Sequence, residues 1–453
     1  LISIFFIYFV FVYIFLIFIR LFNLRFTNLL CAEITSNLSK KVFSNIVRQK
    51  YIFHTKRNSS EFITLLLTAM RAVTSVLQAV VYLFTGSFIL TGIILGLLFV
   101  NTKLTLFIFL LFSFIYLTIT IFIRKRLIRN SKIQLHEAKK LTKTIQEGLG
   151  FIIDLIIGNN QEKLIKKQNK HDKEVRKRIA LNIYYSTFPK YLIEGIAIII
   201  IIFASLFIIR DGSSLKDLIP IFGVFAFGAQ KLLPSFQLIF SSWASLKNES
   251  AQLKEIINLL NLKIEKDIVE NNKNVLFKDK LVLKNINFNY PNSRSQILIN
   301  INLEISNGQK IGIIGPTGSG KSTLIKIILG LLEPSKGEFL VDRNFIFNDG
   351  KFKNLKSWRS LISYIPQDIF ISDGSLAENI AFSEKDKFID MKKVKASASK
   401  ANLSDFIETL PNSYDEIIGE RGVRLSGGQK QRIGIARALY KGTEFLIIDE
   451  ATN

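Results

Sequence analysis

Residues 1–19, LISIFFIYFVFVYIFLIFI, carry no charged side chain and are long enough to cross the hydrocarbon core of a bilayer as one helix. Four further apolar runs follow, at 72–100, 104–123, 191–209 and 218–243, the last interrupted by Lys231 and Pro234. A single run of this kind would fit a buried helix in a soluble protein, but five predict a membrane domain. A secretory signal peptide would need a basic start, a shorter apolar core and a small-residue cleavage site, and none of these is present. The chain opens on Leu1 rather than Met, so further sequence upstream is expected. With 49% hydrophobic residues it is no disordered basic tail. One cysteine, Cys31, excludes an internal disulfide framework and a Cys-rich zinc site. Three histidines argue against a His-based metal centre.

The chain is also basic, with 60 Lys and Arg against 36 Asp and Glu, a net charge of +24. Nucleic-acid binding and membrane orientation both predict such an excess, and its distribution decides between them. Residues 20–71 hold nine Lys or Arg against two acids, Glu33 and Glu61, and residues 124–190 hold seventeen against six. The other connections are nearly neutral: 101–103 carries only Lys103, and 210–217 carries two charges of each sign. Cytosolic connections collect Lys and Arg. The two basic segments therefore face the cytosol, residue 1 lies outside, and everything after Trp243 is cytosolic. Residues 281–453 are close to balance, with 23 basic and 19 acidic side chains, so no nucleic-acid partner is expected.

Segment 124–181 lacks proline and has glycine only at 148, 150 and 158. It predicts two long helices that extend a span into the cytosol and return, turning near 148–160. At the turn Phe151, Ile152, Ile153, Leu155, Ile156 and Ile157 interrupt the charge. An apolar loop tip of this kind is either a docking surface or a local helix–helix contact.

Three regions result: a membrane domain over 1–246, a charged Asn-rich linker over 247–280, and a different, α/β pattern over 281–453. The linker has one amphipathic stretch, Leu253, Ile256, Ile257 and Leu260. In the last region Val282, Ile286 and Phe288 are expected to share a strand face, and Ile297, Ile299 and Ile301 another. Residues 310–314 read as a short buried strand leading into GPTGSGKST, residues 315–323. Leu324, Ile327, Ile328, Leu331 and Leu332 then recur at helical spacing up to Pro334.

A strand, a Gly-rich loop and a helix in this order form a P-loop. Gly315, Gly318 and Gly320 let the backbone turn tightly around phosphate. The N–H groups of Gly315, Pro316, Thr317, Gly318, Ser319, Gly320, Lys321, Ser322 and Thr323, proline excepted, together with the helix N-terminus, make an anion nest. Lys321 supplies a point charge between the β- and γ-phosphates, and Ser322 offers a hydroxyl to Mg²⁺. Far downstream, FLII at 445–448 reads as a buried strand ending in Asp449 and Glu450. Asp449 is placed to hold the Mg²⁺ shell and Glu450 to polarise an attacking water as general base. Between them, Ser426, Gly427, Gly428 and Gln429 open a helix that runs through Ile433, Ala436 and Leu439 to a stop near Gly442. Ser426 is a natural N-cap and the two glycines bare the first N–H groups. This is either a well-capped helix alone or a second phosphate-binding helix end. One nucleotide cannot easily use both ends within one small domain, which hints at a nucleotide shared between two copies.

LSGGQ, with the P-loop and the Asp-Glu strand, resembles the nucleotide-binding domain of ATP-binding cassette (ABC) transporters over residues 281–453. The resemblance implies ATP and Mg²⁺ as cofactors. It implies that Tyr290 in FNYP stacks on adenine, and that Gln367 in YIPQD is the switch-loop glutamine contacting Mg²⁺ and the attacking water. It likens Gly419, Glu420, Arg421 and Gly422 to a loop placed against the opposite subunit's coupling helix. Ser426, Gly427, Gly428 and Gln429 would grip the γ-phosphate held by the other subunit's P-loop, so catalysis implies a dimer. Membrane spans fused ahead of one such domain resemble the exporter-type half-transporter. The implied fold is an α-helical transmembrane bundle of six spans, the first of them missing here, followed by an α/β P-loop nucleotide-binding domain truncated at its C-terminus. Coupling helices would lie near 47–55 and 150–158. A second half-transporter subunit, identical or not, is the implied partner, with membrane lipids around the spans.

The chain departs from the family at its end, where it stops at Asn453 before the D-loop and switch histidine. His54, His136 and His171 all precede the nucleotide domain, so none can be that histidine. The chain as written is thus expected to be a fragment that cannot complete hydrolysis alone. Short stretches of the membrane half, KRNSSE at 56–61, YLIEG at 191–195 and KLLPS at 231–235, are similar to bacterial flippases for lipid-linked oligosaccharides. Lys231, with Gln230 and Gln237 nearby, could meet an anionic head group, or could snorkel or pair with Glu194. Export of peptides, drugs or other lipids stays open, as does a non-transporting membrane regulator. The expected location is a bacterial inner or plasma membrane with the nucleotide domain in the cytosol.

Overall fold

The structure, a computed structural model, is described for residues 2–99, 102–210, 215–263, 274–291, 295–382, 389–419 and 425–449. It falls into two units, Leu1–Gln49 with Phe53–Ile264, and Lys50–Ile52 with Glu265–Asn453.

All five apolar runs of the first unit fall on long helices: α1 (Ile2–Val47), α4 (Met70–Leu98), α5 (Thr102–Gly150), α7 (Gln161–Arg210) and α8 (Leu215–Asn248). Among the described residues three helical stretches are long and apolar enough to cross a membrane: Phe6–Val47, Ser59–Leu98 and Thr105–Gly150. Most side chains of the other two predicted spans lie outside the described set. Helices α5 and α7 have 49 and 50 residues. At about 1.5 Å rise per residue each is roughly 75 Å long, more than twice the hydrocarbon thickness, so both extend well beyond a bilayer. They pack against each other as a hairpin. Its tip is the short helix α6 (Ile152–Ile157), closed by Gly158 and by Asn159 at φ 51°. Ile153 is 68% exposed and Ile157 77%, so the apolar tip faces outward rather than into a helix–helix contact within this unit. Two further short helices, α2 (Tyr51–Thr55) and α3 (Ser59–Thr64), and one π-helical turn (Leu65–Ala69) join α1 to α4.

Several polar groups inside the bundle find partners, as a low-dielectric setting favours. Pro189 sits within α7 and supplies no N–H to the ladder. Three residues earlier, the Gln237 amide of α8 donates to Ser186 O at 2.8 Å. The predicted amphipathic stretch forms α9 (Ser250–Leu260), with Ile256 and Leu259 buried against α1, α3 and the π-turn. Ile257, expected on the apolar face, is 45% exposed, because the buried stripe runs through Ile256 and Leu259. The Asn45 amide caps α9 by donating to Leu259 O and Leu260 O at 3.2 and 3.0 Å.

The second unit builds one antiparallel sheet, in the order β2-β1-β3-β4-β5, and one parallel pair. The strands are β1 (Lys280–Phe288), β2 (Leu298–Ser306), β3 (Lys336–Val341), β4 (Asn344–Asn348) and β5 (Lys351–Phe352). Two expectations about faces are corrected here. On β1 the buried side chains are Leu281, Leu283, Ile286 and Phe288, while Val282 points the other way. On β2 the buried and half-buried positions are Leu298, Ile301, Leu303 and Ile305, and Ile299 is 63% exposed. The reason is a bulge on each strand: Asn285 and Asn300 sit at φ 51° and 50°, and each shifts the alternation by one residue. Asparagine tolerates that conformation, and the neighbouring amides satisfy the displaced N–H groups. Asn285 N donates to Asn302 Oδ1 at 2.9 Å, and Asn300 N donates to Asn287 Oδ1 at 3.0 Å.

The β3–β4 turn is anchored by Asp342, at φ 53°, whose carboxylate accepts the N–H groups of Lys278, Asp279 and Lys280 at 2.9–3.0 Å. Burial alone would raise this carboxyl, but the three donors outweigh it and hold it below the ordinary aspartate range. Asp342→Ala is expected to lower stability by about 2 kcal/mol at neutral pH, because three N–H groups lose a charged acceptor. A depressed carboxyl contributes above its unfolded value and loses that contribution as pH falls through the folded one. The gap in melting temperature between wild type and variant should therefore narrow on acidification. A gap independent of pH would contradict this reading of the turn.

Two separate cores hold the second unit. One joins β1, β3 and β4 to α10 (Lys321–Ile328), α11 (Leu355–Ser360) and the parallel pair β6 (Ile362–Ile365) and β7 (Phe445–Ile448). The other joins α12 (Leu376–Ile380), α13 (Met391–Lys400), α14 (Ser404–Glu408) and α15 (Gly427–Lys441). Three further expectations change. Residues 310–314 are neither a strand nor buried; Ile314 is 96% exposed. A short strand forms only against a hydrogen-bonding neighbour, and neither sheet includes these residues. In β7 only Ile447 is buried, while Leu446 and Ile448 are about half exposed, since the parallel pair has one strand on one side. Helix α10 stops before Pro334, at Gly330 with φ 67°. The Trp358 indole takes Ile328 O at 2.7 Å, and the Arg359 guanidinium reaches Leu329 O and Gly330 O. These donors satisfy the terminal carbonyls of α10.

Candidate nucleotide site

Helix α10 begins immediately after the glycine-rich loop, capped by Gly320 in the left-handed region at φ 94°. A Cβ there would stand 2.8 Å from Leu298 Cδ2 and 3.3 Å from Ile297 O, so this position needs glycine for space as well as for backbone angle. The same contact seats the loop against the β1–β2 edge, where Ile297 N donates to Phe288 O at 2.9 Å. Tyr290, two residues beyond Phe288, packs edge-on against it at 5.0 Å between ring centroids. The aromatic predicted for adenine thus stands on the edge that supports the phosphate loop. Lys321 Nζ donates to Gly315 O and Pro316 O at 2.7 and 3.0 Å, which places its charge in the mouth of the loop. Pro316, Thr317, Gly318 and Ser319 are exposed there, and Ser322 and Thr323 form the first turn of α10.

Strands β6 and β7 run parallel, pairing Tyr364 with Ile447 and Ile365 with Ile448. Gln367 and Asp449 therefore leave the same, C-terminal edge of the pair, where open α/β sheets place ligands. Asp449 N donates to Ile365 O at 3.0 Å, and the Tyr364 hydroxyl donates to Asp449 Oδ2 at 3.2 Å. Burial, then the nearby Asp449 carboxylate, push the Tyr364 hydroxyl up to about 12, so it stays a proton donor at neutral pH. Sequence reasoning missed Tyr364. Reading SYIPQ and LIIDE as adjacent parallel strands, each ending on a candidate site residue, was the signal that could have found it. Glu450 and the stretch Glu420, Arg421 and Gly422 lie outside the described residues. Gly419, which precedes them, has φ 76°.

The start of α15 matches its sequence closely. Ser426 Oγ accepts from Gln429 N at 3.2 Å and Gln429 Oε1 accepts from Ser426 N at 2.7 Å, a complete capping box. The helix ends at Gly442, φ 68°. The box uses one of the orphan N–H groups of the first turn and leaves those of Gly427 and Gly428 without an intrahelical acceptor. Gly427 and Gly428 are exposed, and a Cβ on either would meet nothing within 4 Å. This helix end belongs to the second core and the P-loop helix to the first. Gln367 and Asp449 thus follow the same ends of β6 and β7, Tyr290 packs on Phe288 at the strand edge that meets the P-loop, and the Ser426 turn opens a helix of the second core.

The donors suit Mg²⁺: a Ser322 hydroxyl, a Gln367 carbonyl and an Asp449 carboxylate are all hard oxygens. Among the described residues no cluster of three or more His, Cys, Asp or Glu could hold a metal unaided. Mg²⁺ commonly takes one or two protein oxygens and completes its shell with water and phosphate. When bound, it would neutralise phosphate charge.

Together with the long helices ahead of it, this geometry defines a membrane protein carrying a P-loop nucleotide-binding domain on the same chain. Comparison with known proteins narrows the class. Residues 298–453 match the family described as ABC transporter, and residues 1–230 match the ABC transporter transmembrane region. The chain belongs to the ABC transporter family, with the membrane region ahead of one ATP-binding domain as in a half-transporter. It is 28% identical over 447 residues to an ATP-dependent lipid A-core flippase of Saccharophagus degradans, covering 94% of this chain and 71% of that one. It is 36% identical over 225 residues to ABC transporter B family member 29, chloroplastic, of Arabidopsis thaliana, covering 49% of this chain and 34% of the relative. The chain thus spans between about a third and under three-quarters of these relatives. Among solved structures, a bacterial Atm1-family ABC exporter with ATP bound aligns with a TM-score of 0.77 at 22% identity, over 93% of this chain and 73% of that one, which shows the fold.

Proposed function

We propose that this chain is one subunit of an ATP-driven exporter or flippase in which two nucleotide domains close on shared ATP. One observation carries the reading: the P-loop helix and the exposed helix start at Gly427 and Gly428, both of which we read as phosphate-binding, belong to separate cores. A second copy, or a related half-transporter, would bring the missing helix end to each P-loop. In each site the P-loop amides and Lys321 hold the phosphates, and Tyr290 supports the base. Ser322, Gln367 and Asp449 are the residues that would hold Mg²⁺, and Glu450 would take a proton from the attacking water. The exposed apolar helix α6, with Ile153 and Ile157 outermost, supplies the coupling surface through which closure moves the membrane helices.

An amphipathic lipid with an anionic head group, such as a lipid-linked oligosaccharide, is the substrate class we favour. Support comes from the short membrane-half segments quoted above and from relatives described as lipid A-core flippases. Glu194 lies on α7, 3.9 Å from Lys190. Lys231 lies on α8, its side chain outside the described set. Ionisable groups within a span are costly and mark ligand paths by default. The orientation proposed is an inner or plasma membrane with the nucleotide domain in the cytosol. In a full-length protein in proteoliposomes, Lys231→Met is expected to remove substrate-stimulated ATPase and leave basal ATPase intact. Unchanged stimulation by the candidate lipid would discard the anionic-head-group reading and favour a peptide, a drug or another lipid. ATP binding with no vectorial movement of any substrate would favour a regulator.

A further inference from the structure

We propose that Tyr364 is a positioning residue that holds the Asp449 carboxylate in its metal-binding orientation through the Tyr364 hydroxyl. The inference rests on the reading of Asp449 as a Mg²⁺ ligand. Asp449 is the first residue beyond β7, where no ladder bond fixes a side chain. Its backbone is pinned, because Asp449 N donates to Ile365 O at 3.0 Å. Its carboxylate is pinned separately, because Oδ2 accepts the Tyr364 hydroxyl at 3.2 Å. Both restraints come from consecutive residues of one strand, β6, and the parallel register puts them there: Tyr364 faces Ile447, two residues before Asp449 on the same side of the pair. With one oxygen held by tyrosine, the carboxylate presents the other to a cation in a fixed direction.

Packing alone does not account for the hydroxyl. Tyr364 is only half-buried, and its ring sits against the first core, where a phenylalanine ring would fill the same space. What phenylalanine cannot supply is the donor. Ligating carboxylates are commonly oriented by such outer hydrogen bonds, and losing one typically costs about ten- to a hundredfold in metal affinity. The same bond makes β6 a mechanical link. Gln367 lies three residues after Tyr364, so a shift of β6 would move the glutamine and re-aim the carboxylate together.

The test compares wild type, Tyr364→Phe and Asp449→Asn in full-length protein reconstituted in nanodiscs. Three quantities are read: ATP affinity in EDTA, Mn²⁺ affinity with ATP present by electron paramagnetic resonance, and the Mg²⁺ dependence of turnover. Tyr364→Phe should weaken Mn²⁺ binding about tenfold and raise the Mg²⁺ concentration for half-maximal turnover to match. ATP affinity in EDTA and the rate at saturating Mg²⁺ should stay within about twofold of wild type. Wild-type Mn²⁺ affinity in Tyr364→Phe, with Asp449→Asn impaired, overturns the proposal alone. Loss of ATP affinity in EDTA by Tyr364→Phe also overturns it, by showing a structural role. Undiminished Mn²⁺ affinity in Asp449→Asn overturns the assignment of Asp449 and the proposal with it.

Discussion

Lys321→Met in a full-length protein is expected to lower ATP turnover on the order of a hundred- to a thousandfold, the usual cost of removing one preorganised electrostatic group from a phosphate site. The substitution keeps the length and apolar stem of the side chain but removes the charge that the structure places in the loop mouth, beside Gly315 O and Pro316 O. Those two carbonyls would then face the phosphates without a cation between them, so ATP affinity should fall as well as rate. Folding should be unaffected, because Lys321 is the first residue of α10 and the core side chains of that helix, Leu324, Ile325, Ile327 and Ile328, remain. Nucleotide binding by fluorescence and steady-state ATPase check the expectation. Wild-type turnover would remove the P-loop from the mechanism.

Gly428→Asp should have an equally large effect on turnover with a different signature. A Cβ at this position would meet no protein atom within 4 Å and Gly428 is exposed, so the start of the helix has room for a side chain. It would also favour the positive end of α15. The fold of the chain therefore gives no reason for damage. If the open helix end receives the γ-phosphate held by a second copy, the new charge repels it at close range. Turnover should fall on the order of a hundredfold or more, while ATP affinity at the P-loop stays near wild type. Separation of binding from turnover distinguishes this variant from Lys321→Met. Unimpaired ATPase in Gly428→Asp would show that α15 is simply a well-capped helix.

Much of this was legible in the sequence, for identifiable reasons. Long uncharged runs permit few structures, so each span fell on a helix, and the proline-free segment 124–181 formed the predicted hairpin around α6. Helix α15 was read from Ser426 to Gly442 because both its signals are local: a serine N-cap at its start and a glycine at its stop. The strands were harder. The face of β1 depends on a bulge at Asn285, which a pairing partner selects and a period-two pattern cannot show. The expected strand at 310–314 failed because strand formation is a property of neighbours. Tyr364 was missed for a related reason: its meaning appears only once β6 and β7 are paired in register.

Cysteine cross-linking tests the shared-nucleotide claim most directly. Thr317→Cys in the exposed P-loop and Gly427→Cys at the open end of α15 would be placed on separate full-length chains, both carrying Glu450→Gln and lacking the buried Cys31. Co-expressed and oxidised, the pair should give a covalent dimer that depends on ATP and Mg²⁺ and is absent when either cysteine is expressed alone. No cross-link with ATP bound, or one of equal yield without nucleotide, would contradict a site completed by two copies.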